Sequence, residues 1–314
     1  MFEQFAAATT DASRAAEACA CLPWLITARR DQGAAQNAFA TLMSRAGDGP
    51  LPGPHSLAAS LLFVHAALTY GSTFNDSYYA DNLLPFCKRI IQQIIAAQAP
   101  GARMDDGGLL WQTPLTPGPN PAPPVAQPST RLNALWHSVL ETTATQLTAH
   151  GDKTGDHFER LAGRFTRSFT KTFWCETHKC ICPPDRRTVD SHGIAFPDRE
   201  GLLFISLPSA PTPKTKQRLV VAAHRAAGVT PLGLQNTADD PAVYPLLLVN
   251  LAEAYLNCVE TPTVAAEARA MVDELARYLA AHPAGLPKTF VNNQPTTDPD
   301  LVTTCEAHRL LARL

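Results

Sequence analysis

The sequence predicts an all-α fold of antiparallel helix pairs, on three observations. Apolar residues recur at helical spacing nearly throughout, strand-like segments are short and local, and loops of a few residues separate the helical stretches. Residues 56–70 form a compact apolar segment after the Pro/Gly-rich run 49–54. Leu83, Cys87, Ile90, Ile91, Ile94 and Ile95 make one stripe; Leu132, Leu135, Trp136, Val139, Leu140 and Leu147 make another. Phe158, Leu161, Phe165, Phe169 and Phe173 make a third, and Val264, Ala268, Met271, Val272, Leu275 and Leu279 a fourth. Residues 243–256 are apolar on most sides, as a helix in the deep interior would be. Thr154 precedes one helix. Asp239 or Asp240 before Pro241 reads as a cap with proline in the first turn, and Thr261-Pro262 repeats the signal. The strand candidates are 180–182 and 201–207, neither long enough for a central sheet. Nine or ten helices and almost no sheet are expected.

Composition narrows the function classes. The 314 residues are 45% hydrophobic, a globular composition with ample volume for a core. The net charge of −2 offers no basic excess to neutralise a phosphate backbone, so no nucleic-acid partner is expected. The apolar runs 57–68 and 243–256 fall short of the ~20 residues of a membrane span, so no membrane partner is expected either. Residues 1–20 carry Glu3 and Asp11 and lack a basic leader, which points to a cytoplasmic chain. Eight cysteines in a chain this long are no disulfide scaffold; Cys87 and Cys258 sit in apolar helical stretches as small hydrophobes. Residues 113–128 hold seven prolines in sixteen positions and read as an extended, polyproline-like loop.

Several short blocks carry a family resemblance by their order. They are Leu22-Pro23-Trp24-Leu25 with Arg30-Asp31, Ser60-Leu61-Leu62-Phe63, Asp105-Asp106-Gly107-Gly108-Leu109-Leu110-Trp111, and Leu132-Asn133-Ala134-Leu135-Trp136. Phe169, Phe173 and Trp174 with Cys180, then Ile205-Ser206-Leu207-Pro208, Thr230-Pro231-Leu232-Gly233-Leu234 and Cys305-Glu306-Ala307 follow. Together they resemble the C-terminal, amylo-α-1,6-glucosidase domain of glycogen debranching enzymes. The resemblance spans roughly residues 20 to 314, and Asn-Ala-Leu-Trp is its most specific block. It implies an (α/α)6 toroid, the six-hairpin glycosidase fold, complete or one hairpin short, with short β-hairpins in its loops. Residues 1–20 would then be an N-terminal extension, and 21–314 a single toroid domain carrying the Pro-rich loop 113–128. A missing hairpin would expose apolar helix faces and favour a homo-oligomer or a protein partner.

Glycoside hydrolysis needs two carboxyl groups flanking the scissile bond. The sequence departs from the resembled family where those groups are expected. The family's acid-bearing block after the Gly-Leu-Leu turn is replaced by 113–128, which has no Asp or Glu. The family's Glu before Asn-Ala-Leu-Trp is Arg131, its Asp before Ala-Ser-Leu is Ala58, and its Asp before Trp-Gly-Arg-Asp is Thr27. Its His-x-Gly-Thr-Val-Trp-Pro-Trp block becomes 239–245, and its late Glu falls near Lys288 or Thr289. The leading expectation is therefore a catalytically degenerate relative that recognises an α-glucan. The alternatives are an active amylo-α-1,6-glucosidase with relocated carboxylates, and a structural or regulatory helical protein without sugar affinity.

Candidate site residues follow. If turnover survives, Asp105 and Asp106 are its carboxylates; the bland alternative is turn chemistry before Gly-Gly. For sugar binding, Trp24 and Trp111 are candidate platforms, Arg30 and Asp31 a candidate pair for adjacent hydroxyls, and Asn133 lies in the most specific block. Trp136 falls on an apolar stripe and reads as core. Cys175, His178, Cys180 and Cys182, with His192 beyond, supply zinc-type ligands at a non-standard spacing, so no metal and no cofactor is expected.

Overall fold

The computed structural model of the protein describes the chain except residues 53–54, 98–101, 113–125, 127, 177–178, 183–198, 227 and 236–239. His178, His192, Asp239 and most of the Pro-rich loop 113–128 lie outside the described residues. The chain divides into two compact units, Phe2–Lys171 and Thr172–Leu314 with Met1.

The first unit contains α1 (Phe2–Thr10), α2 (Ala15–Thr27), α3 (Gln32–Ala46), α4 (Ser56–Phe74), α5 (Leu84–Ile95), the hairpin β1 (Ala102–Met104) and β2 (Leu110–Gln112), α6 (Thr130–Ala149) and α7 (Thr154–Thr172). Local chemistry starts and stops these helices. The Asp31 carboxylate accepts the Ala34 N–H at 3.0 Å and opens α3, and Ser129 accepts the Leu132 N–H and opens α6. Asn75, at φ 46°, closes α4 in the left-handed conformation.

Helix α2 packs along α4, and α4 along α6, so these three carry the core of the unit. Leu22, Leu25 and Ile26 of α2, Leu61, Phe63 and Val64 of α4, and Trp136 and Val139 of α6 are buried. Helix α4 runs to 19 residues, beyond the 57–68 run read in sequence, and is long and apolar enough to cross a membrane by length and composition. Its place in the core accounts for that apolarity, since two thirds of it is buried.

Side-chain bonds give the direction of these helices. Gln32 and Gln36, at the start of α3, reach Tyr70 and Asp76, where α4 ends. Arg89 and Gln93, late in α5, reach Gly47 and Asp48, just before α4 begins. Thus α3 and α5 both run antiparallel to α4. The hairpin β1–β2, which follows α5, lies at the end of the unit where α4 and α6 begin.

The second unit contains β3 (Trp174–Cys175), β4 (Cys180–Ile181), α8 (Leu203–Ser206), α9 (Lys214–Ala226), β5 (Val229–Thr230), β6 (Gly233–Gln235), β7 (Ala242–Tyr244), α10 (Pro245–Cys258), α11 (Val264–Met271), α12 (Asp273–Ala281), β8 (Phe290–Val291), β9 (Gln294–Pro295) and α13 (Leu301–Arg313). Helix α10 is the interior helix expected from its all-round apolarity, with Leu248, Val249, Leu251 and Ala252 buried.

Four sequence expectations need correction here. Residues 201–207 are not a strand: a 3-10 turn, Arg199–Leu202, leads into α8, and both pack on α10. The stripe 264–279 is two helices, because Val272 leaves helical geometry at ψ 10° while staying buried. Asp240 does not cap a helix; its carboxylate accepts the Ala242 N–H and starts β7, and the helix begins at Pro245. Strands β5 to β9 form a five-stranded antiparallel sheet in sequence order, where almost no sheet was expected. Its strands are two or three residues long, too short to alternate visibly.

Gly233 sets one tight point in that sheet. A Cβ there would lie 2.7 Å from the Tyr244 backbone, which cannot swing aside as a side chain would. Gly233→Ala is expected to cost about 1–3 kcal/mol, read as a lowered midpoint of thermal unfolding.

Candidate functional site

The hairpin β1–β2 is held by a set of side-chain bonds that joins two of the sequence blocks. Gly108 takes φ +84° in its turn, and Gly107 lies so close to α7 that a Cβ would fall 2.3 Å from Ser168 Oγ. The Asp105 carboxylate folds back over this turn. Its Oδ1 accepts the Leu109 N–H at 2.9 Å, and its Oδ2 accepts the Trp111 indole N–H at 2.8 Å. From below, Asn133 at the start of α6 clamps Leu110. Its Oδ1 accepts the Leu110 N–H at 2.8 Å, and its Nδ2 donates to the Leu110 carbonyl at 2.9 Å and to the Ser129 carbonyl at 2.9 Å. One turn later Trp136, fully buried, donates its indole N–H to the Gly108 carbonyl at 3.0 Å. Asn133 and Trp136 sit three residues apart and so share a helix face.

This arrangement displays Trp111. The ring is half-buried, tied at its nitrogen to Asp105, and covered on one side by the Arg103 guanidinium, 5.4 Å from the ring centre. Asp106 stands exposed in the turn. Both Asp105 oxygens are engaged, one pinning the turn and the other orienting the indole.

The expected site residues do not gather in one place. Asp105, Asp106, Trp111 and Asn133 belong to the hairpin end of the first unit. Arg30 and Asp31 lie between α2 and α3, at the end where α4 finishes. Helix α4 separates the two ends by about 27 Å at 1.5 Å per residue. Arg30 is exposed at φ 51°, and Asp31 spends its carboxylate on the α3 cap. Trp24, a candidate platform, is inside α2 and 4% exposed, against Phe2 at 5.4 Å between ring centres.

In the second unit, Cys175, Cys180 and Cys182 are buried together with Ala223 packed against them, and the Cys180 and Cys182 sulfurs are 3.4 Å apart. Among the described residues no group of three or more His, Cys, Asp or Glu side chains is arranged to hold a metal ion.

A buried ion cluster in the second unit was not anticipated from the sequence. Glu253, its side chain 3% exposed, binds both guanidinium nitrogens of Arg309, at 3.2 and 2.5 Å, and also pairs with Arg313. Arg309 Nε donates to Glu306 at 2.9 Å. Burial pushes the Glu253 carboxyl up, but the charges and hydrogen bonds of Arg309 and Arg313 outweigh it and hold the group below the usual range. Burial raises Glu306 instead, Arg309 offsetting only part. The available signal was Glu253 inside an otherwise apolar run, with Arg309 and Arg313 four apart on a later helix.

No protein-family model matches the chain, and no curated protein matches it in sequence. Solved structures do match it in fold. A rhamnosidase from Klebsiella oxytoca with rhamnose bound aligns over 99% of this chain and 64% of its own, with 13% identity and a TM-score of 0.61. The chain thus spans less than two thirds of that rhamnosidase. A GH63 mannosylglycerate hydrolase from Thermus thermophilus aligns over 93% of this chain and 91% of its own, with 12% identity and a TM-score of 0.66. A cellobiose 2-epimerase from Bacillus thermoamylovorans aligns over 98% and 88%, with 10% identity and a TM-score of 0.59. At these identities the likeness concerns the fold, and the chain has the (α/α)6 fold of the six-hairpin glycosidases.

Proposed function

We propose that this protein is a carbohydrate-recognition member of the (α/α)6 glycosidase fold, of the glycogen-debranching type, that binds an α-glucan without hydrolysing it. The observation that carries this reading is Trp111. A half-exposed indole, tethered at its nitrogen and backed by a cation, is a pre-ordered face on which a pyranose can stack. The carboxylate nearest to it, Asp105, is committed to that tether. The sequence departures support the loss of turnover, because the hairpin framework persists while the acid-bearing segment after it has become 113–128. The superfamily's chemistry supports a sugar ligand: the neighbours include, by name, hydrolases and an epimerase.

The test pairs a calorimetric binding isotherm for an α-1,6-branched limit dextrin with an assay of glucose release at high protein concentration. Saturable binding without release is expected, and Trp111→Ala should weaken binding about tenfold or more, the loss of one stacked ring. Glucose release that disappears in the Asp105→Asn/Asp106→Asn double variant would replace this reading with an active glucosidase. Absence of both binding and release would leave only the fold.

A further inference from the structure

Helix α7 carries a row of basic side chains on its exposed face. His157, Arg160, Arg164, Arg167 and Lys171 follow one another at steps of three, four, three and four residues, and Lys153 immediately precedes the helix. At 100° per residue the five helical positions fall within an arc of about 80°, along roughly 21 Å of helix. All six are exposed, and none of them forms an ion pair among the described residues. The acids of the same helix, Asp156 and Glu159, lie to one side of the row and do not pair with it. A groove of about 400 Å³ opens along the row where Gly163 has no side chain, lined by His157, Arg160, Gly163, Arg164 and Arg167. The other face of α7, Phe158, Leu161, Phe165 and Phe169, is buried in the first unit. Packing explains that face and leaves the basic one unexplained: three Arg and one Lys in a row repel one another, at some cost to the isolated helix.

We propose that the α7 groove binds an anionic polysaccharide, a single chain bearing carboxylate or sulfate groups on successive sugars. Arginine forks pair with such oxyanions in two-pronged hydrogen bonds, and a file one side chain wide matches one polymer strand. Three features favour this ligand over other polyanions. A single-stranded nucleic acid binds through aromatic platforms as well as cations, and the Phe rings of α7 are buried. A membrane surface takes an apolar wedge beside the cations, and α7 presents none outward. The chain as a whole is net negative, so attraction is confined to this face instead of spread for a broad duplex. The choice of a sugar polymer rests on the carbohydrate reading above, while the cationic groove stands independently of it.

The experiment uses the full chain and four probes: a galacturonate dodecamer, a neutral malto-oligosaccharide of the same length, a dT20 oligonucleotide, and phosphatidylserine vesicles. Binding is measured between roughly 50 and 200 mM salt for the parent and for the Arg160→Gln/Arg164→Gln/Arg167→Gln variant. The three positions are exposed, so the thermal midpoint should not move. The galacturonate probe is expected to bind the parent most tightly, and the variant should weaken it on the order of thirtyfold at low salt. The slope of log affinity against log salt should fall by about two, the share of three lost contacts on a single strand. Equal galacturonate affinity in parent and variant overturns the proposal. So does tighter binding of dT20 or vesicles, lost in the same variant, which would assign the row to nucleic acid or membrane. Failure of the malto-oligosaccharide to bind, with galacturonate binding intact and sensitive to the arginines, would sink the α-glucan reading and uphold this one.

Discussion

Arg309→Met is expected to destabilise the protein by about 3 kcal/mol, the low end of the cost of breaking a buried ion pair, because Arg313 still pairs with Glu253. The reason is asymmetry. Glu253 sits in α10, its side chain 3% exposed, and cannot recover its lost hydration when Arg309 leaves. Differential scanning calorimetry should show the midpoint falling by roughly 6–12 °C for a unit of this size. A drop no larger than that of an exposed Arg→Met control would show the cluster to be incidental. Glu253→Leu with Arg309→Met should recover most of the loss, since an apolar pair needs no solvation in the core. The pH dependence has a defined sign. Glu253 titrates below its unfolded value, so its contribution is complete above the unfolded pKa and is lost as pH falls through the folded one. Glu306 is raised, so it acts oppositely: its ionisation weakens the fold as pH rises from the unfolded value through the folded one. Glu306→Gln should therefore leave stability at neutral pH unchanged or slightly higher while preserving the acid-side loss from Glu253.

The second large effect is expected at Asn133. Asn133→Ala removes three hydrogen bonds and leaves the Leu110 N–H and carbonyl buried without partners. Each orphaned group costs about 1–3 kcal/mol, so a loss of about 3–5 kcal/mol is expected in thermal or denaturant unfolding. Asn133→Asp keeps an acceptor for the Leu110 N–H but sets a buried carboxylate oxygen against the Leu110 and Ser129 carbonyls, so it should cost at least as much as alanine. Because the hairpin carries Trp111, the alanine variant should also lose affinity for the limit dextrin. Alanine at 133 with full stability and full binding would mean that the hairpin is held by Trp136 and the Gly108 turn alone.

The helices were legible wherever a long segment paired one apolar face with clear ends. Helices α5, α6 and α7 could be read from spacing, because burial of one face at 3.6 residues per turn leaves its period in the sequence, and α4 and α10 from their continuous apolarity. The same periodicity failed at 264–279, where Val272 keeps the apolar spacing while its backbone leaves the helix. It had nothing to offer on the five-stranded sheet, whose strands are shorter than one period of alternation can prove. The candidate site divided in the same way. The Asp105–Trp111 and Leu132–Trp136 blocks were visible as motifs, yet their meaning as one clamp depends on bonds spanning 23 and 28 residues. Arg30-Asp31 was visible as a polar pair, while the place of Asp31 at the start of α3 is decided by its bond to the Ala34 N–H. The α7 cations were present in the sequence at plain helical spacing and were hidden by the net charge of −2, an average that conceals where charges lie.

Two properties were legible in the sequence: the helical class and the interior position of α10. They follow from local spacing and residue chemistry, which act within a turn or two of chain. Other properties came only from packing. Asp105 orients Trp111, Glu253 meets Arg309 across 56 residues, and Arg30 and Trp111 stand at opposite ends of α4. A side chain's chemistry is set by the partners it meets, and partners distant along the chain are chosen by packing, which no local pattern records.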